Sequence, residues 1–140
     1  MTKRLKLFVP SNPMPKERPR LGRNGAYTPA KTQAYEELVG VSVSNAIALI
    51  GYEMPKADEL LMVILQFYRS DKRRADVDNL TKSVLDAMNG LAYEDDSFIG
   101  AMVVTVERGV REDACGVGIE IVPYYEELGI VDNLSYRAEF

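Results

Sequence analysis

The run Leu60-Leu61-Met62-Val63-Ile64-Leu65-Gln66-Phe67 holds one polar residue in eight. A stretch so apolar and so short, bounded by Glu59 and Tyr68, suits a strand buried on both faces. It needs covering layers, and the chain supplies them. Asp78 to Asn89 repeats Leu80, Val84, Leu85 and Met88 at helical spacing and closes on Gly90. Thr28-Pro29 predicts a second helix start, with Thr28 as cap and Pro29 in the first turn. That helix should run to about Leu49 and present Tyr35, Leu38, Val39, Ser42, Ala46 and Leu49, with Gly51 near its end. Lys3 to Val9 alternates basic and apolar side chains, the pattern of a half-buried strand. Ala101–Val106 and Gly118–Val122 read as two further strands, paired as a hairpin through Arg111-Glu112-Asp113. The order β-α-β-α-β-β predicts an α+β fold, a single domain with a mixed sheet and helices packed on it. The expected domain spans residues 1–123, and 124–140 form a weakly patterned acidic tail.

Residues 10–28 contain Pro10, Pro13, Pro15, Pro19, Gly22 and Gly25, which exclude a helix and predict a long loop. Loops above about 12–15 residues in a small domain usually carry function or are disordered. The 140 residues include no His and only Cys115. Ser-His and Cys-His nucleophiles, His-ligated metals and a disulfide framework are thereby excluded. Catalysis would have to run on carboxylates, Lys, Arg or Tyr. No apolar run approaches the roughly 20 residues of a membrane span, and Pro10 to Pro15 interrupt any leader-like segment. A cytoplasmic, reduced protein is expected.

The net charge of −4 hides a strong asymmetry. Residues 1–34 carry eight bases, among them Lys16, Arg18, Arg20 and Arg23, against Glu17 alone. Residues 69–82 carry five bases against three acids, and 83–140 twelve acids against three bases. The overall sign argues against a nonspecific DNA coat, yet local basic segments are what a phosphate backbone responds to. A merely solvated surface would also account for them.

Between the basic segments lie Asp76 and Asp78, at the start of the second helix, and Glu94-Asp95-Asp96 beyond its end. In an extended connector, residues two apart project to one side, about 6–7 Å apart. Two negative charges at that distance repel by about 2–3 kcal/mol at an effective dielectric near 20. A third carboxylate brought back from Asp95 or Asp96 would add to this. A divalent cation offsets the repulsion, and oxygen-only donors favour Mg²⁺ or Mn²⁺ over zinc. The competing account is structural: Asp78 as the N-cap, Asp76 complementing the helix dipole, and Lys82 pairing with Asp78 or Asp86 four residues away.

The run Arg73-Arg74-Ala75-Asp76-Val77-Asp78-Asn79-Leu80-Thr81-Lys82-Ser83-Val84-Leu85-Asp86-Ala87, closing with Tyr93-Glu94-Asp95-Asp96, resembles the RusA family of Holliday-junction resolvases. The family signature is D-x-D-N-x-x-K, a helix ending in L-D-A, a short turn and a D-D pair. Pro13-Met14-Pro15-Lys16-Glu17-Arg18-Pro19-Arg20, with Tyr27-Thr28-Pro29 after it, is similar to the family's N-terminal pattern. The likeness covers most of residues 5–122. It implies a homodimeric, Mg²⁺-dependent endonuclease that nicks opposing strands of a four-way DNA junction. Asp76, Asp78 and Asp96 fall on the family's metal-binding aspartates and Lys82 on its active-site lysine, with Asp95 as the alternative third ligand. Lys72, Arg73 and Arg74 are placed to hold phosphates, and Lys16, Arg18, Arg20 and Arg23 to form a mobile arm on the DNA backbone. Tyr27 is expected to be buried, with stacking on an unpaired base as the alternative. Leu60–Phe67 and Ala101–Val106 would serve either as dimer interface or as internal core. The rival functions are a noncatalytic nucleic-acid-binding module, a nuclease for flaps or forks, and a partner-binding protein that uses its acidic tail.

Overall fold

A computed structural model describes residues 2–74 and 76–124. The strand β1 (Leu5–Val9) is followed by a short hairpin of β2 (Arg20–Gly22) and β3 (Gly25–Tyr27), and then by the helix α1 (Ala30–Ile50). Next come β4 (Leu61–Tyr68), the helix α2 (Val77–Met88), β5 (Ile99–Glu107) and β6 (Gly116–Pro123). Four strands form one mixed sheet in the order β1-β6-β4-β5, parallel between β4 and β5 and antiparallel elsewhere. The α+β expectation is met, with the apolar run at 61–68 as a central strand. No helix among the described residues is long and apolar enough to cross a membrane. The acidic tail from residue 125 onward lies outside the described residues.

The core lies between the helices and one face of the sheet. Leu61, Val63, Leu65 and Phe67 of β4 meet Val117, Ile119 and Ile121 of β6 there, beneath Val39 and Val43 of α1 and Leu80, Val84 and Met88 of α2. Burying each such side chain contributes roughly 1.5–3 kcal/mol. The stripe that α1 buries is Thr32, Tyr35, Val39 and Val43. Leu38 and Leu49, expected inward from spacing, are instead exposed. Gly51 ends this helix in the left-handed conformation, and its N–H donates to the Ile47 carbonyl.

Three local expectations are corrected. β5 and β6 do not form a hairpin, because β4 lies between them. The polar segment at 111–113 does turn the chain, but the turn carries it past the end of the most apolar strand, which takes the sheet centre. The 10–28 segment is not wholly loop, since Arg20–Gly22 and Gly25–Tyr27 pair around Arg23-Asn24. The Asn-Gly dipeptide at 24–25 is the hairpin signal for it. Tyr27, on that hairpin, is 49% exposed rather than buried.

Candidate active site

The α2 helix begins after the loop that follows β4. Asp76 is its N-cap: one carboxylate oxygen accepts the Asp78 backbone N–H at 3.0 Å and the other the Asn79 side-chain amide at 3.2 Å. Capping therefore belongs to Asp76, and Asp78 sits in the first turn. The reason is geometric: the cap residue is the last one in extended backbone, and that residue is Asp76.

From Asp78 the helix presents Asp78, Lys82 and Asp86 at four-residue intervals, hence on one face. These three line a cleft of about 320 Å³ together with Val77, Thr81, Leu85, Asp96 and the β5 residues Met102 and Val104. Asp96 reaches this cleft through a tight turn after α2. The Tyr52 hydroxyl donates to the Ala92 carbonyl at 2.7 Å, the Tyr93 hydroxyl to Leu85 at 3.0 Å, and the Gly90 N–H to Tyr93 at 2.8 Å. Burial, with the Glu59 charge adding, pushes the Tyr52 hydroxyl up to about 12, and burial raises Tyr93 further. Both therefore stay neutral donors at physiological pH. Asp95 and Asp96 then part company. Asp95 caps the short turn Asp96–Phe98 by accepting from the N–H and hydroxyl of Ser97, which holds its carboxyl below the usual range. Asp96, not Asp95, lines the cleft.

Lys82 is exposed at the cleft, and among the described residues it forms no ion pair with Asp78 or Asp86. Asp86 is paired instead with Lys16 at 3.3 Å, and Lys16 also pairs with Glu36 of α1. Lys16 thus departs from the expected mobile arm. Its N–H donates to the Asn79 carbonyl, and the Ser83 hydroxyl donates to Met14 next door, so segment 14–16 is clamped between the helices. Arg18, Arg20 and Arg23 remain exposed, with Arg20 near Glu17 at 3.4 Å. Lys72, Arg73 and Arg74 are exposed on the loop that leads into α2, and the Arg73 N–H is held by Asp71.

Among the described residues no three His, Cys, Asp or Glu side chains gather closely enough to cage a metal ion. The cleft offers oxygen donors alone, Asp78 and Asp96 with Asp86 behind them. Mg²⁺ is commonly held by one or two carboxylates with waters and substrate phosphates completing its shell, so this donor set fits such an ion. The Thr81 hydroxyl oxygen at the cleft wall is buried without a hydrogen-bond partner among the described residues. Sequence reasoning did not single out this polar atom, because a Thr on a helix face carries no signal by itself.

The model of the family described as Endodeoxyribonuclease RusA matches residues 10–122, which takes in every element from the 10–28 segment to β6. The chain belongs to the RusA family. Similar relatives are the crossover junction endodeoxyribonucleases RusA of Escherichia coli strain K12 and strain CFT073, and of Escherichia coli O1:K1. Each is 31% identical over 74 residues, covering 53% of this chain and 58% of the relative. The match therefore spans a little over half the length of these curated relatives. Of the signature residues of this chain, Asp78, Lys82, Asp86 and Asp96 line one cleft, whereas Asp76 caps α2 and Asp95 caps the turn after it.

Proposed function

We propose that this chain is a Mg²⁺-dependent, structure-selective endodeoxyribonuclease that resolves four-way DNA junctions by paired symmetric nicks, as a cytoplasmic homodimer. The observation that carries this reading is the single cleft shared by Asp78, Lys82 and Asp96, in a chain whose relatives are named for crossover junction cleavage. Its catalytic unit is residues 1–123, with 124–140 as an appendage.

Asp78 and Asp96 would hold the divalent cation, with Asp76 beside them at the helix cap. When bound, such an ion supplies a water of lowered pKa and a polarised phosphate. Lys82 places an ammonium with three donors at the same cleft, where it offsets negative charge developing on the phosphate oxygens. Lys72, Arg73 and Arg74 hold neighbouring phosphates, which the carboxylates would otherwise repel. Arg18, Arg20 and Arg23 add affinity along the backbone, and Tyr27, half-exposed on its hairpin, is available to stack on an unpaired base. A two-fold dimer gives two equivalent clefts for two opposed strands. The outer edge of β5 and its exposed Met102 and Val103, beside the cleft, are the surface this dimer uses.

The test is incubation of labelled four-way junction and linear duplex with the protein in Mg²⁺ or EDTA. Paired, symmetric nicks in the junction alone, abolished by EDTA, are the expected result. Binding that ignores Mg²⁺ with no nicking would overturn the enzyme reading. Equal cutting of flaps or forks would overturn the junction preference.

A further inference from the structure

We propose that Arg69 is a buried phosphate anchor, a fixed contact to the nucleic-acid backbone at the end of β4. The alternation of β4 buries Leu61, Val63, Leu65 and Phe67 against the helices. Arg69, two residues further on, follows onto the same face and is 9% exposed. Its backbone is held firmly. The Arg69 N–H donates to the Glu107 carbonyl at 2.8 Å, and its own carbonyl accepts from the Val110 N–H at 3.0 Å. The next N–H, of Ser70, donates to the Asn12 side chain at 3.3 Å.

Among the described residues the side chain has no such partners. Its Nε is buried without a hydrogen bond, and among the described residues no carboxylate forms an ion pair with the guanidinium. A guanidinium is charged at every physiological pH. Burying even the Nε side of a guanidinium without a partner is costly, and Arg is rarely buried unless paired; the terminal nitrogens stay open to a ligand. A residue pinned by backbone bonds on both sides, with no anion beside it among the described residues, is organised to receive one.

The surroundings select the anion. Lys72, Arg73 and Arg74 follow within five residues and Arg108 is exposed on the facing loop, four bases against the two acids Asp71 and Glu107. The two loops pack as one rim: a Cβ at Gly109 would lie 3.3 Å from Cγ of Lys72. A rim of cations around a planar fork of donors matches phosphate oxygens, which Arg binds in bidentate fashion. That the phosphate belongs to DNA rests on the nuclease reading; that the site takes a phosphate does not.

The experiment follows the Arg69 Nε–H resonance of ¹⁵N-labelled protein during titration with inorganic phosphate. In parallel, four-way junction binding in EDTA and melting temperature are measured for the parent, Arg69→Met and Arg69→Lys. A saturable phosphate shift is expected. Arg69→Met should weaken junction binding about tenfold or more with an unchanged or higher melting temperature, because no internal partner is lost. Arg69→Lys should recover part of the affinity. An absent phosphate shift, or a melting temperature lowered alike in both variants, would overturn the proposal and make Arg69 structural. A phosphate shift with junction affinity within about twofold of the parent assigns the site to free phosphate instead of the DNA backbone. A parent that binds no junction defeats the nuclease reading, and the titration still decides Arg69.

Discussion

Replacing Lys16 with Met separates two jobs that a base in this N-terminal segment could do. The Lys16 ammonium pairs with Glu36 of α1 and lies 3.3 Å from Asp86 of α2. At 3.3 Å, opposite unit charges attract by about 5 kcal/mol at an effective dielectric of 20 and by about 1.3 kcal/mol in bulk water. Side-chain exposures of 17% for Lys16, 21% for Glu36 and 32% for Asp86 place the cluster between those limits. Desolvation and side-chain ordering subtract much of the attraction. The net loss on Lys16→Met is therefore about 1–3 kcal/mol, above an exposed pair and below a fully buried one. In a domain of this size that lowers the melting midpoint by about 3–10 °C. Burial pushes the ammonium pKa down, but Glu36 and Asp86 outweigh it and hold the group above its ordinary 10.5. A raised folded value means that the contribution is complete below 10.5 and is lost as pH climbs through the folded value. Parent and variant should thus differ most at neutrality and converge in strongly alkaline buffer, as thermal melts across pH would show. Junction binding by the folded variant should keep the parent's salt dependence. An unchanged melting midpoint together with a salt slope reduced by about one phosphate's worth would refute the reasoning and return Lys16 to the DNA arm.

Asp78→Asn should retain junction binding, or tighten it, while losing Mg²⁺-dependent nicking. Among the described residues the Asp78 side chain makes no bond, so its stability cost is about 0.3–1 kcal/mol from the helix dipole, and single-turnover cutting at the parent's rate would remove it from the site. Asp76→Ala, by contrast, deletes the α2 cap and should cost about 0.5–2 kcal/mol; denaturant melts showing no loss would mean that the cap bonds carry no weight. Arg18→Ala combined with Arg20→Ala should leave stability unchanged, weaken binding and flatten its salt dependence, and a titration series with an unaltered slope would take both off the DNA.

Much of the fold was legible because the periodic signals were strong. The run at 60–67, apolar but for Gln66, marked a central strand, and Leu80, Val84 and Met88 marked the inner face of a helix. What pattern could not supply was pairing. The alternation of β5 and β6 identifies two strands, but neighbours in sequence need not be neighbours in a sheet, and β4 had the stronger claim to the centre. In α1, apolar side chains nearly encircle the helix, so Leu38 and Leu49 fit a plausible stripe and still face outward. D-x-D-N-x-x-K marked the start of α2, yet the assignment of cap and cleft residue depended on where the extended backbone stops. Lys16 was legible as a base and illegible as a staple, since Glu36 and Asp86 lie 20 and 70 residues away. Arg69 was invisible for the same reason: nothing in a sequence tells a paired arginine from an unpaired one.

The N-terminal clamp also bears on which carboxylates remain available. On the outer stripe of α2, Asp78, Lys82 and Asp86 recur every four residues, and isolated helix pairing would let Lys82 neutralise either acid. Lys16 pre-empts that choice by taking Asp86. Lys82 is then left without an ion-pair partner, beside two acids, Asp78 and Asp96, that form no ion pair among the described residues. Two uncommitted carboxylates and one uncommitted ammonium are what a cleft needs if it is to attract a cation and a phosphate together. On the nuclease reading proposed above, the clamp at residues 14–16 therefore bears on the cleft from outside it, by engaging Asp86 and leaving Lys82 to meet a phosphate.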